Sequence, residues 1–510
     1  MNKNDNKRVA KNTLFLYFRM ILIMLVTLYT SRVILAQLGI SDYGIYNVVG
    51  GIVVMFSFLN SSMSSATQRY LTYELGKGDS ESLKKVFAAS LNIHIIIASA
   101  IVILAETIGL WFLNHKLNIP YERIVAANWV FQFAILTFCI NIIQVPYNAV
   151  IIAHEKMNVY AYISILEVIL KLAIAYLLSI VAMDKLIIYA GLVFIVQLFI
   201  RIVYQIYCRR NFIECKSKLF WDRNLYKEMT GFAGWNLFGS VAWLLRDQGV
   251  NILLNIFFGP AINAARGVAM QVSGAVMGFI SNFQVALNPQ ITKNYAMEQI
   301  GDMEKLAFQG IKYSFILLFF LAYPLALNID FVLNIWLEKV PDYSGYFIIL
   351  ILVDALAGTL FGGPLMTSLS ATGKIRNYQI AVSFIILLIV PVSYTALKLG
   401  YNAPCVFYVG IMFTLFSGIA RFWFCKRQIG FSSKGFFTKV LFPLSLYMVF
   451  SIPLPFIIKL YYLNESNWFT FLSLCAISTT STAIAAWNLC LSHNERQKLA
   501  SMIKTKIKKV

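Results

Sequence analysis

Arg32, Arg246 and Arg266 are guanidinium-bearing residues set in segments otherwise rich in Leu, Ile, Val and Phe. Lys171 lies in a segment of the same kind. A charge facing lipid at mid-bilayer costs at least ~2.5–3.5 kcal/mol. Four together cost on the order of 10 kcal/mol, comparable to the whole stability of a folded protein. Each must therefore pair with an acid or face a polar cavity. Glu167 stands four residues before Lys171, the spacing at which opposite charges meet on a helix. That pair, with Asp247, supplies the candidates for ion coupling. Asp247 adjoins Arg246 but points ~100° away around a helix, which makes it an imperfect partner. Arg201, Lys312 and Arg421 lie near span ends, where their charges are expected to snorkel to the headgroups; Arg19 is intermediate.

Arg246 also borders a longer pattern. Asn236, Ser240, Trp243, Asp247, Asn251 and Asn255 recur every three or four residues and occupy one helix face. A helix contact in lipid needs one or two polar residues, not a continuous stripe. The pattern predicts a water-filled cavity with a cationic lining. Arginine holds anionic oxygens through paired, charge-assisted hydrogen bonds, while Asn, Ser, Gln and Trp suit sugar hydroxyls and sugar faces. The candidate binding residues are Arg32, Arg246, Arg266, Asn236, Asp247, Asn251 and Gln284. Covalent chemistry is not expected: the loops carry no nucleophile–base constellation, phosphate-cradling Gly loop or metal-ligand spacing. The reading is of a non-enzyme without a cofactor or metal. The seven cysteines are scattered and odd in number, and His94 reads as a lone packed histidine.

The elements that carry these residues follow from composition. Hydrophobic residues make up 59% of the 510, and only 13% are charged. Apolar runs of ~20 residues recur from end to end, each long enough to cross a ~30 Å hydrocarbon core as a helix. They predict an all-α polytopic membrane protein with about fourteen transmembrane helices. An even count places both termini on one side. The loops on that side hold about 29 Lys and Arg against about 6 on the other, which predicts cytoplasmic termini. This asymmetry accounts for most of the +20 net charge without nucleic acid. Trp111, Trp336, Trp423 and Trp468 fall near span ends as interfacial anchors.

The two halves look alike at an offset of about 220 residues. The segment ending at Gly39 matches the one ending at Gly259, and polar stripes follow both. Ser61 meets Ser281, Ser64 meets Gln284 and Gln68 meets Asn288. The loops beyond are matched through Gly78-Asp79 and Gly301-Asp302. Six spans per unit keep both halves in one orientation, as in parallel transporter repeats with a site at their interface. The expected organisation is a six-helix lobe over 1–207, a linker over 208–230, a second six-helix lobe over 231–425, and two further helices with a basic tail over 426–510. The two pseudo-symmetric lobes would enclose a central cavity lined by helices one, two, seven and eight. Gly362-Gly363-Pro364, Pro324 and Pro391 can bend helices that rock between inward and outward states, and ordinary packing is the commoner role of such residues.

The run Ser31-Arg32-Val33-Ile34-Leu35-Ala36-Gln37-Leu38-Gly39-Ile40-Ser41-Asp42-Tyr43-Gly44-Ile45-Tyr46 resembles the Wzx-type O-antigen flippases. These form the polysaccharide-export branch of the multidrug/oligosaccharidyl-lipid/polysaccharide flippase superfamily. Ala66-Thr67-Gln68-Arg69-Tyr70 and Asn288-Pro289-Gln290-Ile291-Thr292 add to the likeness. The resemblance implies alternating access and transfer of undecaprenyl-pyrophosphate-linked repeat units across the bacterial inner membrane, for O-antigen lipopolysaccharide or capsule. Implied partners are the lipid-linked oligosaccharide, membrane lipids and the polysaccharide polymerase machinery, with no nucleic acid. A drug/cation antiporter of the same superfamily and a lipid II flippase are the alternatives.

Overall fold

The computed structural model describes residues 3–54, 57–115, 119–180, 183–216, 220–337, 340–461, 467–491 and 495–497. Side chains of many residues inside the first and second helices, Arg32 among them, and of a few in the eighth and ninth lie outside that description. Every regular element among the described residues is helical, as apolar segments in lipid require, because only a helix satisfies its own backbone there. The protein is a multi-pass membrane protein. Ten helical segments are long and apolar enough to cross a membrane. The other long helices have the length but are interrupted by the Asn, Ser, Gln and Arg of the polar stripes.

In chain order the helices are α1 (Lys3–Val54), α2 (Ser57–Lys77), α3 (Ser80–Leu104), α4 (Leu110–His115), α5 (Ile124–Ala153), α6 (Met157–Leu177) and α7 (Lys185–Asn211). They continue as α8 (Arg223–Phe258), α9 (Pro260–Ala296), α10 (Ile300–Leu327), α11 (Ile329–Trp336), α12 (Ser344–Leu360), α13 (Gly363–Ala371) and α14 (Arg376–Leu387). The last are α15 (Ile389–Lys398), α16 (Cys405–Ile429), α17 (Ser433–Phe436), α18 (Phe442–Ser451), α19 (Pro453–Tyr461) and α20 (Trp468–Ala485). Short polar residues start several of them. Asp79 accepts from the backbone N–H groups of Glu81 and Ser82 at 3.1 and 3.0 Å, and Asp184 does the same for Leu186 and Ile187. These contacts satisfy amides that a helix start leaves unpaired. The amide and hydroxyl of Ser82 hold the Asp79 carboxyl below its ordinary range.

The repeat is borne out in backbone geometry. Gly39 interrupts α1 at φ 77° and Gly259 separates α8 from α9 at φ 79°, a conformation open to glycine at little cost. The starts of α3 and α10, Ser80 and Ile300, keep the offset of 220, as do those of α5 and α12 (Ile124 and Ser344) and of α7 and α16 (Lys185 and Cys405). One matched pair needs correction. The left-handed residue equivalent to Gly78 (φ 75°) is Glu298 (φ 60°); Gly301-Asp302 instead lie in the first turn of α10.

The chain forms two compact units. The first runs to Val241 and includes Val285–Gln299; the second comprises Ala242–Gln284 and the chain from Ile300 onward. Helices α8 and α9 each contribute residues to both. In the first unit, Glu155 is buried and binds the tail of α9. Lys293 lies 2.9 Å from its carboxylate and Gln290 donates to it at 3.2 Å, while Asn12 donates to its carbonyl at 3.1 Å. In the second unit, the C-terminal helices dock on α10: Tyr323 donates to the Ile452 carbonyl and Lys312 to that of Cys490, both at 2.6 Å. The Lys312 ammonium thereby caps a neighbouring helix end.

Gly362-Gly363-Pro364 divides a single span into α12 and α13. Gly362 starts α13, with Pro364 in its first turn, where the missing N–H has no partner to lose. A side chain on Gly362 would meet the Gly358 carbonyl at 2.5 Å. The break exposes the Phe361 carbonyl, and Arg421 of α16 donates to it at 2.7 Å. Arg421 is only 5% exposed and supports the broken helix.

Candidate functional site

The arginine-bearing part of the stripe lies in the second unit, on the hairpin of α8 and α9 closed at Gly259. Arg266 stands two helical turns into α9. Its guanidinium reaches across to α8, where Nη2 makes a short ion pair with the Asp247 carboxylate and a 3.3 Å hydrogen bond to the Asp247 carbonyl. Nη1 donates to Oδ1 of Asn251 at 3.3 Å. Asp247 and Asn251 are four residues apart and so share one face of α8. Asn263 joins the group from α9 by donating to the Asn251 carbonyl at 3.1 Å. The two partners are unequally covered: the Arg266 side chain is 10% exposed and that of Asp247 40%.

Arg246 turns the other way. Its Nη2 meets the Asp354 carboxylate of α12 at 3.0 Å, and its guanidinium lies 4.7 Å from the Trp243 ring centroid. A Cβ at Gly410 of α16 would sit 3.3 Å from the same nitrogen, so glycine makes room for the charge. The ~100° separation on α8 is realised: the adjacent residues Arg246 and Asp247 serve different partners. Asp354, which does not stand out in the sequence, completes the site. Its only signal is that it is an acid in an otherwise apolar span.

The remaining candidates are spread along the helices. Asn236 lies ten residues before Arg246 in the chain and within the first unit. Gln284 lies eighteen residues beyond Arg266, about 27 Å away. Its amide packs against Gly363 at the helix break, and its Nε2 donates to Ser314 at 3.4 Å. The structure therefore brings together Arg266, Asp247 and Asn251, sets Arg246 beside Asp354, and leaves Gln284 apart, while Asn236 belongs to the first unit. Glu167 and Lys171 meet each other at 2.6 Å on α6, in the first unit. Arg32, with Asn47, Ser57, Ser61 and Asn255 of the stripes, falls outside the described side chains.

Chemically, the hairpin offers two guanidiniums, each with five N–H donors. Arg266 uses its two terminal nitrogens on Asp247 and Asn251, whereas the ion pair of Arg246 engages Nη2 alone. The half-exposed Asp247 is the accessible acid. The group is equipped to bind an anion through the arginines, or a cation through Asp247.

No protein-family model and no curated protein matches this chain. Solved structures do. An outward-facing multidrug resistance MATE family transporter of the MOP superfamily superposes with a TM-score of 0.70 at 12% identity, covering 83% of this chain and 96% of that one. A MATE structure in the straight conformation gives 0.70 at 14% identity, with the same coverage. A MOP superfamily transporter from Pyrococcus furiosus, described as having a binding pocket of reverse polarity that suggests a different function, gives 0.69 at 12% identity over 85% of this chain and 96% of that one. The chain has the fold of these transporters.

Proposed function

We propose that this transporter-fold protein is a flippase. It moves undecaprenyl-pyrophosphate-linked oligosaccharide repeat units across the bacterial inner membrane by alternating access, for O-antigen or capsule synthesis. The observation that carries this reading is the placement of Arg246 and Arg266 on one polar hairpin within the membrane-spanning region, each held by an acid from a neighbouring helix. Guanidiniums are costly there and suited to the paired oxygens of a pyrophosphate. The stripe residues Asn236, Asn251 and Gln284 extend along the same helices, where a hydroxyl-rich chain needs donors and acceptors. The Pyrococcus transporter, whose reverse pocket polarity is described as suggesting a different function, is a precedent for divergent roles on one fold.

In this reading residues 1–207 and 231–425 act as the two moving lobes. Both termini lie in the cytoplasm, and Arg32 is a third pyrophosphate contact. Membrane lipids surround the protein, and the polymerase machinery receives the product. Glu167, Lys171 and Asp247 are the ionisable groups placed to couple an ion.

A drug/cation antiporter is the second reading, favoured by the half-exposed carboxylate of Asp247. Deleting the gene separates the two. Loss of surface polysaccharide with accumulation of its complete lipid-linked repeat unit is the expected result. Normal polysaccharide with altered sensitivity to cationic drugs establishes the antiporter instead.

A further inference from the structure

The stretch 208–230, from the end of α7 to the first turns of α8, lies in the first unit, away from the arginine-bearing hairpin. Its acids and its bases are used differently. It holds three acids, Glu214, Asp222 and Glu228, and each is engaged within the protein. Glu214 is buried, with Nε2 of His154 2.7 Å from its carboxylate. Asp222 accepts from the amides of Asn224 and Leu225 at the start of α8. Glu228 accepts from the Tyr70 hydroxyl at 3.0 Å. The bases are left over. Arg209, Arg210, Lys216, Arg223 and Lys227 are exposed, and none has an ion pair among the described residues.

Two large apolar side chains stand among these charges. Ile213 is 67% exposed and Trp221 68%. The surroundings of Trp221 are fixed from α3. Asn92 donates to the Phe220 carbonyl at 3.0 Å and to the Tyr226 hydroxyl at 2.7 Å. The rings of Trp221 and Tyr226 then meet at 4.3 Å, and Lys85 lies 5.7 Å from the Phe220 ring centroid.

Helical register gives the depth. Ile195, Phe199, Ile202 and Ile206 are exposed at spacings of three and four on α7, which makes them its lipid face. Arg209 and Arg210 follow on that face, three and four residues beyond Ile206. α3 changes in the same way. Exposed Glu81 and Lys85 precede Asn92, and exposed Ile95 and Ile96 follow it, the first within about 5 Å along the axis. Trp221, tied to Asn92 through its neighbours, stands at that boundary.

This is the headgroup level, where tryptophan concentrates and phosphate is the abundant anion. Guanidiniums take phosphate oxygens through paired hydrogen bonds, and clustered bases beside a span attract anionic lipid. A soluble acidic partner would use the charges but leave Ile213 and Trp221 without apolar cover. The acyl chain next to a headgroup supplies that cover.

We propose that Trp221 and Ile213, with Arg209, Arg210, Arg223 and Lys227, form a docking surface for anionic phospholipid of the phosphatidylglycerol type. The phosphate sits on the bases and the acyl chain along the two apolar side chains. The surface does not depend on the flippase reading.

The test is tryptophan quenching in the full-length protein. It is reconstituted in phosphatidylcholine vesicles doped with dibrominated phosphatidylglycerol or dibrominated phosphatidylcholine at the same mole fraction. The Trp221 signal is the difference between each protein and its Trp221→Phe counterpart. Stronger quenching by the brominated phosphatidylglycerol is expected, with the excess falling as salt rises. Arg209→Gln with Arg210→Gln should weaken the preference for phosphatidylglycerol on the order of tenfold. Lys434→Gln with Lys439→Gln, an equal loss of charge in the second unit, should leave it unchanged. Should the arginine variant fail to fold, the wild-type comparison of the two lipids still decides. Equal quenching by both lipids overturns the proposal, as does a preference that the arginine pair does not alter. A preference lost equally in the lysine pair overturns it too, because general basicity is then enough. No quenching of Trp221 by either lipid also overturns it and gives the surface to a soluble partner.

Discussion

Arg266 and Asp247 form an ion pair across the α8–α9 hairpin in which the cation is buried and the anion is half-exposed. Removing either partner therefore has unequal consequences. Asp247→Ala strands a buried guanidinium and should destabilise the protein by about 3–5 kcal/mol. Arg266→Ala leaves a carboxylate that water can reach and should cost distinctly less. Thermal unfolding of the purified variants measures the difference, and the double variant should recover part of the loss in Asp247→Ala. Equal losses would show that the burial asymmetry has no energetic weight.

Transport should follow the arginines and not the stability order. Arg246→Ala and Arg266→Ala are expected to abolish export of the lipid-linked oligosaccharide while the protein is still made and inserted. Lysine at position 246 should retain part of the activity if charge is what matters, and less if the paired donors of guanidinium matter. Full complementation of a deletion strain by Arg32→Ala, Arg246→Ala and Arg266→Ala would remove the cationic site from the mechanism.

The broken helix yields a contrast among glycines. A Cβ at Gly418 would lie 2.6 Å from the Phe361 side chain, close to its backbone, and one at Gly362 would strike the Gly358 carbonyl. Each Ala variant should lower stability by about 1–3 kcal/mol through overpacking. Gly363→Ala meets only the flexible amide end of Gln284, which can swing aside, so its effect should be the smallest of the three. Denaturation midpoints rank them.

Arg123 joins two acids, pairing with Asp42 of α1 at 2.9 Å and with Asp184 at the start of α7 at 2.6 Å. The hydrogen bond from Arg123, followed by the Ile187 backbone amide, holds the Asp184 carboxyl below its ordinary range. A depressed folded value means that the unfolded chain binds more protons in the intervening window. The pair's contribution is thus complete above the unfolded value of ~3.9 and is lost as pH falls through the folded one. Asp184→Asn keeps the cap on α7 but removes the charge. The stability gap between wild type and this variant should be present at neutral pH and close below about pH 4. A gap that persists in acid would assign the effect to the cap.

Much of this arrangement was legible in the sequence because it is local. Apolar run length set the helices, Gly39 and Gly259 marked matched turns, and the four-residue spacing of Glu167 and Lys171 gave their pair. Gly362-Gly363-Pro364 marked a segment able to bend, though not the break itself. What stayed hidden depends on residues far apart in the chain. Helical geometry shows that Arg246 cannot easily use Asp247, but it does not reveal Asp354, 108 residues on. The carbonyls that Lys312 and Arg421 bind come into reach only when the helices that carry them are in place. Glu298 could not be recognised as the equivalent of Gly78, since nothing in its residue type marks a left-handed turn.

The Phe361 carbonyl and the arginine that binds it are 60 residues apart, which gives the break a history during synthesis. The ribosome delivers α12 and α13 to the membrane well before α16 emerges. In that interval the interrupted backbone has a carbonyl that its own helix cannot satisfy, in surroundings where an unmet polar group costs several kcal/mol. Insertion of this span is therefore conditional: it becomes secure only when a later helix brings a charged side chain to an earlier one. Loss of Arg421 should therefore be read first in the yield of inserted protein.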